Sequence, residues 1–144
     1  MIGQFHDQPD PAIGETWSNY PSNPPPLSYR YINSQFIIAV YDFTPDSVKY
    51  LGSIPITKGV WHRIKTRVFW STTDNGFVEF WLDSVQLDIS GITRYTARNC
   101  FNKAGNYLKI GLYRSKIIDT VGIVYFDNIK SGSTAESVDY NLNS

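Results

Sequence analysis

An all-β protein, a β-sandwich or jelly roll, is the fold this sequence predicts, and three observations predict it. No stretch of normal helix length is visible. Eight or so short runs rich in β-branched and aromatic residues are separated by turn-forming residues. Aromatic residues make up 15% of the chain, with 10 Tyr and 4 Trp, beside 10 Gly, 8 Pro and only 18% charged residues. That balance suits pleated, half-buried surfaces. With 144 residues the chain is long enough for one domain with a real core. The expected division is one domain over residues 1–130 and a polar tail over 131–144.

The elements follow in order. Met1–His6 reads as a short strand, with Ile2, Gln4 and His6 on one face and Phe5 on the other. Asp7–Pro26 is a long irregular loop, since prolines at 9, 11, 21, 24, 25 and 26 exclude helix. Trp17 and Tyr20 mark it as a loop flanking a groove rather than a disordered linker. Leu27–Tyr31 and the strongly apolar Gln35–Phe43 read as strands, the second one central. Thr44-Pro45-Asp46 is a turn, Val48–Ile54 a weaker strand, and Thr57-Lys58-Gly59 another turn. Val60–Trp70 alternates over its whole length, placing Arg63, Lys65 and Arg67 on one face. Asn75-Gly76 supplies the positive φ of a tight hairpin. The return strand is Phe77–Asp83, where Glu79 is positioned to pair with the basic row. Val85–Ile89 is a short strand, Ser90–Ala104 irregular, Tyr107–Tyr113 a strand, Ser115–Asp119 a turn or loop, and Val121–Lys130 the last strand.

Composition excludes several function classes. Lys+Arg and Asp+Glu are both 13, so the net charge is zero, without the basic excess of a nucleic-acid binder. The one cysteine, Cys100, precludes a disulfide within the chain and reads as a buried or incidental thiol. No apolar run reaches membrane-span length, and no signal peptide precedes the first strand. Asp7, Asp10 and Glu15 cluster in the proline loop but lack the regular spacing of a calcium loop, so no metal or other cofactor is expected; structural calcium stays an unsupported option. The aromatic excess suits sugar binding as well as core packing, because a pyranose C–H face stacks on an aromatic ring.

Tyr107–Tyr113 carries the most specific pattern. Leu108, Ile110 and Leu112 fall on one face, which is expected to be a core face. Tyr107, Lys109, Gly111 and Tyr113 fall on the other. Lys109 and Tyr113 are then about 13 Å apart along that face, the reach of two or three sugar units in a groove. A core strand has no need of this polar row.

Five blocks together resemble a known family: Gln4-Phe5-His6; Pro25-Pro26-Leu27; Trp61 with Asn75-Gly76-Phe77-Val78-Glu79-Phe80-Trp81-Leu82-Asp83; Tyr107-Leu108-Lys109-Ile110-Gly111-Leu112-Tyr113-Arg114; and Val124-Tyr125-Phe126-Asp127-Asn128. In this order they are similar to the heparin-lyase-I-like polysaccharide lyases, and more distantly to alginate and glucuronan lyases. The resemblance implies a concanavalin-A-like jelly roll β-sandwich and β-elimination at a uronic acid, leaving a 4,5-unsaturated sugar. It implies His6 and Tyr113 as the catalytic pair, with Gln4 and Lys109 contacting substrate. Tyr107 and Arg30 join the expected substrate-binding set. The chemistry needs these residue types. The C5 proton is weakly acidic, so the neighbouring carboxylate must be neutralised by Gln4, His6 or Lys109. A base must then take that proton, and either His6 or Tyr113 suits the task.

Such lyases carry a strand-rich segment, with an arginine-bearing strand, before the Gln-x-His strand. Only Met1, Ile2 and Gly3 precede Gln4 here, so residues 1–130 are expected to correspond to the C-terminal portion of the family domain, incomplete at its N-terminus. The expected partner is an acidic polysaccharide, with neither nucleic acid nor membrane, and the resemblance implies a secreted or periplasmic location. A non-catalytic carbohydrate-binding module on the same fold is the alternative. A glycoside hydrolase is disfavoured, because Glu79 has only Asp83 at strand-compatible spacing as a second carboxylate.

Overall fold

The computed structural model describes residues 1–44, 46–88, 91–117 and 121–139. Nine strands are present among them: β1 (Gly3–Asp7), β2 (Leu27–Ile32), β3 (Gln35–Asp42), β4 (Ser47–Pro55), β5 (Ile64–Phe69), β6 (Phe77–Leu82), β7 (Val85–Gln86), β8 (Tyr95–Thr96) and β9 (Asn106–Ile110). The expected all-β class holds, with a single short 3-10 turn, Pro11–Ile13, among the described residues.

Two antiparallel sheets result. The larger runs β4-β3-β2-β1-β9, and the smaller runs β5-β6-β7 with β8 also on β6. Alternation decides what each buries. Leu27 and Tyr29 of β2, with Phe36, Ile38 and Val40 of β3, face Val78 and Phe80 of β6. Leu51 of β4 joins them through a bulge: Ile38 pairs with Gly52 and Ala39 with Tyr50, leaving Leu51 unpaired in the ladder and turned into the core. Tyr29 ties the sheets together. Its ring lies nearly parallel to Phe36 at 6.0 Å and perpendicular to Phe80, while its hydroxyl meets Thr66 Oγ1 of β5 at 2.6 Å. Burial pushes its phenol pKa up.

The tight turns differ from expectation. Asn75 and Gly76 do not adopt positive φ, and a seven-residue loop, Trp70–Gly76, joins β5 to β6. Asn75 Oδ1 instead accepts from the Ser71 and Thr73 hydroxyls. Gly76 is needed for space, since a Cβ there would lie 2.6 Å from the Ala97 carbonyl oxygen. The two-residue hairpins with positive φ use Asn33-Ser34, between β2 and β3, and Asp83-Ser84, between β6 and β7.

Three further expectations are corrected. The expected strand Val60–Trp70 shortens to β5, because His62 turns aside to bridge Thr57 and Asp83. Val121–Lys130 forms no strand and is exposed throughout. Its pattern records what the segment can bury, whereas a strand also needs an edge and a facing layer in reach. The same applies to Leu108 and Ile110, which are 43% and 46% exposed although they lie on the inward face, and Leu112, just past the strand, is 43% exposed. β9 is the last strand of its sheet, and the smaller sheet packs over β2 and β3 rather than over it.

Among the described residues of the polar tail, Asp139 Oδ1 meets Lys65 Nζ at 3.0 Å. Within the segments expected from sequence, Pro45, Ile89, Ser90, Ile118, Asp119 and residues 140–144 lie outside the described residues.

Candidate active site

The pairing of β1 with β9 builds the site. Their register sets Gln4 against Lys109 and His6 against Tyr107. Side chains alternate across a sheet, so these four share the outer face of the larger sheet, opposite the core. The His6 and Tyr107 rings lie 6.1 Å apart, and Lys109 Nζ is 4.9 Å from the centre of the Tyr107 ring. Gln4 also pairs with Ser28 across to β2. Among the described residues, Gln4 Oε1 is buried without a hydrogen-bond partner, so an acceptor is left for a ligand hydroxyl.

Asp7 fixes this end of the face. It is fully buried, and its Oδ2 accepts from the Tyr20 hydroxyl and from Asn23 Nδ2, each at 2.6 Å. His6 Nδ1 hydrogen-bonds to the Asp7 carbonyl oxygen at 3.0 Å and lies 2.8 Å from Asp7 Oδ1. Both neighbours are acceptors, so Nδ1 carries the proton and a neutral His6 keeps its lone pair on Nε2. Burial, and after it the bond to Asp7, pushes the Tyr20 phenol pKa up.

The proline loop is thereby folded onto the sheet, as its aromatic content suggested. Asp10 caps the Pro11–Ile13 turn by accepting from the Ala12 amide. Glu15 Oε2 accepts from the Asp10 amide and from Asn102 Nδ2, and Asn102 also donates to the Gln8 carbonyl. The acidic trio Asp7, Asp10 and Glu15 thus organises the loop through hydrogen bonds. Trp17, at the loop's crest, stands perpendicular to both Tyr20 and Tyr107, with ring centres 6.4 Å from each.

Of the residues expected from sequence, Gln4, His6, Tyr107 and Lys109 come together. Arg30 lies on the same face farther across, with Nη1 donating to the Tyr50 hydroxyl at 3.0 Å and its guanidinium over the Tyr50 ring. Tyr113 is not brought to His6. β9 ends at Ile110, Gly111 takes φ 145°, and Tyr113 bonds through its backbone to Met1. Six residues beyond Tyr107, it is up to about 20 Å from His6. The phenol beside His6 is that of Tyr107. Sequence reasoning missed Asp7, Tyr20 and Asn23 as the site's anchor. The available signal was Asp7 itself, an acid with the inward parity of Gly3 and Phe5.

Charges on the smaller sheet are neutralised locally. Glu79 is buried and clasped by Arg67 at 3.3 Å and Arg94 at 2.8 Å, which removes it as a candidate hydrolase carboxylate. Lys65 lies over Trp81 and pairs with Asp139. Cys100 is buried, which pushes its thiol pKa up, and its sulfur accepts from Asn106. No helix among the described residues is long and apolar enough to cross a membrane.

Two facing antiparallel sheets around one core define a jelly-roll β-sandwich. Its sequence matches the family described as polysaccharide lyase over residues 1–130, and the chain belongs to that family. Membership supports a lyase-type function on polysaccharides. Neither the search of curated proteins nor that of solved structures found a significant match.

Proposed function

We propose that this protein cleaves a uronic-acid-containing polysaccharide by β-elimination, in the manner of the heparin-lyase-I-like enzymes it resembles. The observation that carries the reading is the β1–β9 register, which gathers Gln4, His6, Tyr107 and Lys109 on one face. Lys109 neutralises the uronate carboxylate, so that negative charge developing at C5 is tolerated, and Gln4 Oε1 accepts from a sugar hydroxyl. His6 Nε2 takes the C5 proton. The electron pair of that C–H bond forms the C4–C5 double bond, the C4–O4 bond breaks, and O4 leaves with the Tyr107 hydroxyl proton. Proton transfer from His6 back to Tyr107 resets both groups. The partner is an acidic polysaccharide, and the enzyme acts on it outside the cell.

The test follows ultraviolet absorbance of the unsaturated uronate while the folded chain is mixed with heparin, heparan sulfate, alginate and glucuronan. A time-dependent rise on at least one polymer is expected. A folded, β-rich protein that gives no rise on the whole panel sinks the reading.

A further inference from the structure

We propose that Trp17 forms a sugar-stacking subsite for a uronate oligosaccharide, set at a fixed distance from His6 by Asp7. The proposal rests on the reading of the β1–β9 face as the uronate site.

Trp17 is 66% exposed, although a tryptophan offers the largest apolar surface of any side chain. Exposure alone is common on a surface. What distinguishes this residue is the support beneath it. The loop that carries it is fastened to the sheet by Tyr20 and Asn23 on the buried Asp7 and by Asn102 on Glu15. Two more bonds brace its crest: Asn19 Oδ1 accepts from the Thr16 amide at 2.6 Å, and the Tyr20 amide donates to the Thr16 carbonyl at 2.9 Å. The ring is further set perpendicular to Tyr107, at 83°. An open aromatic surface on a braced loop loses little conformational entropy when it binds.

One residue, Asp7, holds His6 through its backbone carbonyl and the Trp17 loop through its carboxylate, so their spacing is a property of the fold. Lys109 Nζ lies 4.9 Å from the Tyr107 ring centre and Trp17 lies 6.4 Å from it, so ammonium and indole are at most about 11 Å apart. A sugar on Trp17 is therefore within about two units of one whose carboxylate meets Lys109. The rings of a uronate chain alternate a charged edge with apolar C–H faces. Lys109 takes the first, and Trp17 takes the second.

The experiment measures affinity by calorimetry for size-defined oligosaccharides of alginate, glucuronan and heparin, two to six sugars long, alongside cleavage by absorbance. Wild type is compared with Trp17→Ala, Trp17→Phe and Trp61→Ala; Trp61 is an equally exposed tryptophan ahead of β5. Circular dichroism and thermal midpoints check that each variant is folded. Trp17→Ala is expected to weaken binding of tetrasaccharides and longer chains roughly five- to twentyfold, with KM rising and kcat within about twofold. Disaccharides are unaffected, Trp17→Phe recovers part of the loss, and Trp61→Ala behaves as wild type. Equal affinity of Trp17→Ala and wild type for the tetrasaccharide overturns the subsite. Binding that weakens in Trp17→Ala without cleavage by wild type keeps the subsite and rejects the lyase reading. No binding by wild type overturns both.

Discussion

The two faces of β9 are held in different ways. On the outer face Tyr107 has His6, Lys109 and Trp17 around it, and His6 is bound in turn to the backbone carbonyl of Asp7, the residue whose buried carboxylate holds the proline loop. On the inner face Leu108 and Ile110 are nearly half exposed and, among the described residues, do not join the packed core. Apolar alternation is usually taken to fix a strand in place. Here the ladder to β1 and the polar contacts of the outer face fix it, and the apolar residues contribute less than their identity suggests. The side of β9 that carries the proposed site is the better organised one.

The largest effect expected from this contrast is on catalysis. His6→Ala and Tyr107→Phe are each expected to lower kcat by about 10²–10⁴, the usual worth of a positioned acid or base. Tyr113→Phe is expected to stay within about threefold of wild type, because Tyr113 lies beyond the end of β9 and 71% exposed. Steady-state kinetics on the polymer that gives the absorbance rise decides between the two phenols. A collapse with Tyr113→Phe and none with Tyr107→Phe would restore the pair implied by family resemblance.

Next comes the anchor. Asp7→Ala leaves the Tyr20 hydroxyl and the Asn23 amide without their shared acceptor in a part-buried place, while His6 Nδ1 keeps the backbone carbonyl of residue 7. A loss of about 3 kcal/mol of stability in urea is expected. The mobility of the Trp17 indole, read from fluorescence anisotropy, should rise with it. A loss under about 1 kcal/mol means that the loop is held elsewhere.

The inner face is sharpened by a matched pair of truncations. Ile38→Ala removes a fully buried side chain between the sheets and is expected to cost about 2–5 kcal/mol. Ile110→Ala, on a strand of the same sheet, removes a half-open one and should cost under about 1 kcal/mol. Equal costs would show that something covers the inner face of β9 in solution, and the apolar residues of 121–130 are the nearest source in the chain: Gly122 already lies against Leu112.

Much of this organisation was legible in the sequence. Parity alone put Gln4 with His6 and Tyr107 with Lys109, and the β1–β9 register then brought the two pairs together. Arg67 against Glu79 follows from the same logic. What failed is whatever depends on distant parts of the chain. Asn75-Gly76 has the strongest local hairpin preference, yet the close approach of Ala97 and Asn99 to Gly76 imposed another conformation. Asn33-Ser34 and Asp83-Ser84 are weaker signals, but the flanking registers force positive φ on them, and Asn and Asp tolerate it. Residues 121–130 have strand propensity without a ladder. Tyr113 fits a motif, while a bend at Gly111 ends the strand before it.

The smallest expected effect concerns the end of β6, where His62 and Asp83 contrast with His6 and Asp7. Both histidines put Nδ1 near a carboxylate, but Nε2 of His62 is also engaged, 3.0 Å from the Thr57 carbonyl oxygen. Two acceptors on two nitrogens select the imidazolium. The bond to Asp83, then that to Thr57, raises the His62 pKa above its ordinary 6.5. Burial opposes the Asp83 charge, yet the bonds from His62 and the Arg63 amide prevail and hold its carboxyl below the usual value. The signs follow from linkage. The His62 contribution to stability is complete below pH 6.5 and is lost as pH climbs through its raised folded value; the Asp83 contribution is complete above the ordinary carboxylate value and is lost as pH falls through its depressed one. Stability from this bracket therefore has a plateau in mildly acidic solution and a shallow decline above neutrality. The chain has only two histidines, so an NMR titration resolves His62 directly. In Asp83→Asn its pKa should fall back toward 6.5 and the decline should weaken. A His62 pKa unmoved by Asp83→Asn would mean that the Thr57 carbonyl alone supports the charge, and the contrast between the two histidines would lose its cause.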